Sequence, residues 1–263
     1  MRVGGIDVRA AAGMFRDVRT RSESMRPLVI DGVLARELAR VLTAGGDPTA
    51  VQVGGDPRRA EAYVVVLAGP AGPEQTESLR RAARALVPVL VVQTAPGETS
   101  DVPYVPATEV IVCAPGQGFP LTEIARTLAR VLDEQAVALA SRLPALRPAV
   151  VERLVEHGSR RAGLAALLAA RKRELFPLLV LQQLRLALDI AAANGQRLGR
   201  ERAPELVAVV AAGLAVRQAV RRLGGHGSAV VAAVSGYAVT RAVGEAARLR
   251  ATRNEGYGRD AAR

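Results

Sequence analysis

The chain has 263 residues, 49% of them hydrophobic, but no tryptophan and only 3% aromatics, so its core must be built from Ala, Val and Leu. The one cysteine, Cys113, excludes an intramolecular disulfide and a cysteine-rich zinc site and fits a reducing cytosol, and the start of the chain lacks a secretion-signal pattern. The net charge of +11 lies wholly in the second half: residues 1–133 hold 15 arginines against 15 acids, while 134–263 hold 21 basic residues against 10 acids.

Residues 1–26 carry six arginines and three acids, and Val8, Ala11, Phe15 and Val18 recur at helical spacing. This predicts a short amphipathic basic helix, docked on the protein's own body or, less favoured, reaching a membrane or partner. From Pro27 the pattern changes to short apolar runs alternating with helical periods. A strand is expected over 27–31 and a helix over 33–42, which Gly45-Gly46 stops. A second strand follows over 50–53, then the turn Gly54-Gly55-Asp56-Pro57. The run 62–67 (AYVVVL) is apolar on both faces, as a central parallel strand should be. A helix over 74–86, strands over 88–92 and 109–113, and a helix over 121–132 complete the alternation. Such alternation predicts an α/β region at 27–135 with a parallel sheet covered by helices.

After about residue 136 no strand pattern remains. Pro148 is expected to open a helix that Gly158 ends, followed by helices over 164–175, 178–194, 204–223 and 228–250. The result is a basic helical region at 136–252 and a polar tail at 253–263. The longest apolar run, Leu206 to Val216, is far short of the roughly 20 residues of a membrane span. A peripheral or soluble protein is therefore expected, with a dipping helical hairpin as the weaker alternative.

A nucleotide-binding domain would place a glycine-rich loop, a lysine and a Ser or Thr directly after the first strand. Here Ile30-Asp31-Gly32-Val33-Leu34-Ala35-Arg36 offers one glycine, no lysine and no hydroxyl. Gly32 and Arg36 are at most vestigial loop positions. The turn at 54–57 does not present a magnesium-linked Asp-x-x-Gly, and Gln93-Thr94-Ala95-Pro96 replaces a guanine-reading Asn-Lys-x-Asp. Cys113-Ala114-Pro115-Gly116-Gln117-Gly118 resembles the loop that contacts guanine in small GTPases. A tight strand-to-helix turn explains Gly116 and Gly118 more simply. His157, near an expected helix end, and His226 are read as solvated, and Cys113 as a small core residue; no catalytic or metal set and no cofactor is implied.

In the helical half, Gln182, Arg185 and Asp189 form a polar line at i, i+3 and i+7 amid leucines. This reads as a solvated stripe with an Arg185–Asp189 pair worth a few tenths of a kcal/mol, roughly. The alternative is a buried seam against a neighbouring helix. Gly236, Thr240 and Gly244 repeat every four residues, a small-residue face for close helix packing. Together these six residues are the candidate interaction seam.

Phe176-Pro177-Leu178, Leu181-Gln182, Asp189-Ile190-Ala191, Asn194-Gly195-Gln196, Glu201 and the run from Thr240 to Ala247 resemble the YcjF-like, GTPase-linked domain family of unknown function. Asn194 departs from it, standing where an aromatic is common. The resemblance covers about 172–250 and implies a helical domain that follows an Era-like GTPase domain, in some members at the inner membrane. It makes the first half a degenerate P-loop-GTPase-like domain. The expected function is then a non-catalytic adaptor or regulator on the cytoplasmic side, with a partner GTPase, self-association or an anionic membrane surface. A divergent GTP or ATP hydrolase is the first alternative. A nucleic-acid binder is the second, disfavoured because four Tyr and three Phe leave little for base stacking.

Overall fold

The architecture comes from a computed structural model, which describes residues 2–3, 6–95, 101–114, 116–171, 176–196 and 241. The chain divides into two compact units. One holds residues 22–150. The other groups residues 1–21 with 151–263, so the N-terminal basic helix is a member of the helical unit.

In the first unit a five-stranded sheet forms from β1 (Leu28–Gly32), β2 (Val51–Val53), β3 (Ala62–Leu67), β4 (Val89–Gln93) and β5 (Val110–Val112). Every pairing is parallel and the order is β2-β1-β3-β4-β5. This is an α/β fold compatible with a Rossmann or a P-loop-like arrangement. Val29 lies opposite Tyr63, Asp31 opposite Val65, and Gln93 opposite both Leu67 and Val112. β3 and β4 are buried at every position, because strands covered on both sides must be apolar on both sides.

Side chains alternate across the sheet. On one face Val29, Tyr63, Val65, Leu67, Val89 and Val91 cluster with Leu79 and Ala82 of helix α1 (Pro73–Arg84) and with Val102. Leu28, Ile30, Val64, Val66, Leu90 and Val92 fill the opposite face. Helices α2 (Ala35–Leu42) and α3 (Leu121–Leu132) contact β1 and β4 there through the fully buried Leu38, Leu42, Ile124 and Leu128. Each such side chain contributes about 1.5–3 kcal/mol on burial.

Residues 136–150, expected to open the helical region, instead group with the α/β unit. Helix α4 (Ala136–Arg142) and the 3-10 turn Pro144–Leu146 bury Leu139, Leu143 and Leu146, and that turn contacts α2 and α3. A clasp adds to this packing. Arg142 Nε donates to Asp47 Oδ2 at 2.9 Å, Arg142 Nη2 donates to Thr49 Oγ1 at 3.1 Å, and the Asp47 amide donates to the Arg142 carbonyl at 2.9 Å.

The helical unit contains α5 (Val8–Ser22), most of α6 (Arg147–Arg171) and α7 (Phe176–Ala193). Gly158 does not end a helix, as the sequence suggested; α6 runs through it. The reason is packing: a Cβ on Gly158 would come within 2.9 Å of Leu186 Cδ2, so glycine lets α7 approach. Tertiary contact outweighs a propensity cost of about 1 kcal/mol. His157 is accordingly mid-helix, half-buried and engaged rather than at a helix end. The helix expected over 204–223, His226 and, apart from residue 241, the helix expected over 228–250 lie outside the described residues. Among the described residues no helix is long and apolar enough to cross a membrane.

Candidate functional site at the carboxyl edge of the sheet

An open parallel sheet binds ligands outside the carboxyl ends of its strands, at the point where the winding reverses. Here the chain passes from β1 outward to β2, then back to β3 on the other side, so that point lies between the ends of β1 and β3. The residues presented are Asp31 and Gly32 at the end of β1 with Val33 and Leu34 after it, and Leu67 at the end of β3 with Ala68 after it.

The β1 turn is short, and its first amides are spent within the protein. The Gly32 amide donates to Asp31 Oδ1 at 2.7 Å and the Val33 amide to the Val66 carbonyl at 3.0 Å. Gly32 has φ of +93°, and a Cβ there would overlap the Val66 carbonyl oxygen. Glycine is required at this position to let β1 turn against β3. Leu34 also takes the left-handed region, with φ of 54°, although its side chain gains no burial by it. That conformation costs on the order of 1–2 kcal/mol. The helix after it opens without a side-chain cap, and Arg36 stands exposed on its first turn.

Asp31 has a second partner. The Tyr63 hydroxyl donates to Asp31 Oδ2 at 3.0 Å. Tyr63 is fully buried, and its hydroxyl is pushed well above the ordinary phenol range, first by burial and then by the Asp31 charge. The carboxylate therefore holds the turn on one side and the sheet on the other. The site consequently presents an acid, a spent pair of amides and the exposed apolar side chains of Val33 and Leu34.

At 54–57 Asp56 caps the 3-10 turn Pro57–Arg59, accepting from the Arg58 amide at 3.1 Å. Both of its carboxylate oxygens also receive Arg58 Nε. Hydrogen bonding from the Arg58 side chain is the largest cause of its lowered pKa, about 2. Asp47 repeats the device before Pro48, accepting from the Thr49 amide at 2.8 Å.

At the end of β4, Gln93 is 2% exposed and its Oε1 has no hydrogen-bond partner. Its carbonyl accepts from the Cys113 amide at 2.7 Å, while the Thr94 hydroxyl donates to the Leu67 carbonyl at 3.2 Å. Pro96 lies outside the described residues. Cys113 is buried just past β5, and burial pushes its thiol up. Gly116 has φ of +72° in an exposed turn closed by the Gln117 amide on the Ala114 carbonyl at 3.1 Å. Gly118 is exposed, with open space where a Cβ would lie.

In the helical unit Asp189 is 7% exposed, and its pair with Arg185 is loose at 3.8 Å. Gln182 is half-buried with a buried, unpartnered Oε1, and Ser159 on α6 is fully buried with an unpartnered Oγ. Polar atoms thus enter the packing around α6 and α7. Gly236, Thr240 and Gly244 lie outside the described residues. Among the described residues no group of three or more His, Cys, Asp or Glu is placed to hold a metal ion.

Gly32, Arg36, Gly116 and Gly118 are visible in the sequence, but the Asp31–Tyr63 bond, the burial of Gln93 and the Arg142 clasp are not. Both Asp-Pro caps were readable, because an N-cap acid before proline is a turn signature. The other contacts join residues 32 and 95 apart along the chain and carry no local signal. Compared with known protein families, with curated proteins and with solved structures, the chain gives no match.

Proposed function

We propose that the α/β unit is a non-catalytic, pseudo-GTPase-type module and that the chain acts as an adaptor or regulator. The observation supporting this reading is the turn after β1. A phosphate cradle needs outward amides, a cation and no competing acid. Here the Gly32 and Val33 amides are already bonded, and the Asp31 carboxylate stands at the strand end. A phosphate charge about 4 Å from that carboxylate would be repelled by roughly 1 kcal/mol in water and 4 kcal/mol at an effective dielectric of 20. Asp56, the only acid in the turn after β2, is held by Arg58 and by its own cap, so recruiting it to magnesium would mean breaking both.

The partner is sought on the basic second half, whose excess carries the whole net charge of +11. An anionic membrane surface or a partner GTPase with an acidic face fits that charge. Each basic residue close to anionic lipid contributes on the order of 1 kcal/mol. Titration of the full chain with fluorescent GTP and ATP analogues plus magnesium tests the first half of the reading. No saturable binding is expected; saturable, magnesium-dependent binding overturns it in favour of a divergent hydrolase. Flotation with anionic and neutral vesicles at low salt tests the second half. Salt-sensitive flotation with the anionic vesicles alone supports a membrane-surface role, and its absence removes the membrane from the proposal.

A further inference from the structure

We draw no further inference here: the strongest candidate, the buried Gln93 carboxamide at the carboxyl end of β4, whose Oε1 lacks a hydrogen-bond partner, stands close in sequence to residues 96–100, which lie outside the described residues, and nothing in the structure shows what covers it or what would donate to it.

Discussion

Replacing Gly32 by alanine separates two roles that a glycine after the first strand can have. In a phosphate loop its substitution costs ligand binding. In this protein it should cost stability. An L side chain at φ of +93° is strained by about 1–2 kcal/mol. The added methyl also meets the Val66 carbonyl oxygen, so the turn must shift. Such overpacking costs about 1–3 kcal/mol. Losing the Val33–Val66 hydrogen bond adds about 1 kcal/mol. The sum is roughly 3–6 kcal/mol, a large part of the ~5–15 kcal/mol that holds an ordinary domain together. Gly116→Ala and Gly118→Ala are the controls. Gly116 has φ of +72° but open space around a Cβ, so about 1 kcal/mol is expected. Gly118 has open space and no positive φ, so its change should stay within about 0.5 kcal/mol. The chain has no tryptophan, and urea unfolding followed by far-ultraviolet circular dichroism is the suitable assay. Equal stabilities for Gly32→Ala and Gly118→Ala would refute the reasoning.

Four further outcomes follow from other contacts of the α/β unit. A fragment of residues 22–150 should fold while 22–135 should not, since the latter lacks the fully buried Leu139, Leu143 and Leu146, worth about 1.5–3 kcal/mol each; a cooperative unfolding transition in the shorter fragment would contradict this. The Asp56 carboxyl should titrate at about 2 by NMR, and Arg58→Ala should return its midpoint towards 3.8. Because the folded value is depressed, its contribution to stability is present above the unfolded pKa and is lost as pH falls through about 2. Among the four tyrosines, Tyr63 should stay protonated on alkaline titration until the unit unfolds. Its pKa is raised, so its contribution is complete below about pH 10 and fades as pH climbs towards the folded value. Ultraviolet titration checks this, and ionisation of Tyr63 in the folded protein near pH 10 would count against its burial. Tyr63→Phe should cost about 1–3 kcal/mol, because Asp31 is left short of one donor.

The strands of the α/β unit were legible along the chain because period-two and all-apolar runs are local properties. The run 62–67 coincides with β3, and 121–132 with α3. The shortness of the turn after β1 was equally local, being a matter of which residues follow Ile30. Even the Asp-Pro caps at Asp47 and Asp56 could be read from neighbours. By contrast, Gly158 looked like a helix stop until Leu186 was placed against it. Residues 136–150 looked like the start of a separate helical region until the clasp between Arg142 and Asp47 joined them to the sheet unit.

By itself the sequence determined that β1 is followed by a turn lacking the lysine, the hydroxyl and the further glycines of a phosphate loop. Tertiary structure alone decided what that turn does instead: its amides bond to Asp31 and Val66, and Asp31 bonds to Tyr63. The physical reason is distance along the chain. Periodicity and capping depend on residues a few positions apart, as does the Gly32–Asp31 bond, whereas the Val33–Val66 and Asp31–Tyr63 bonds join positions more than thirty residues apart and exist only once β1 and β3 lie side by side.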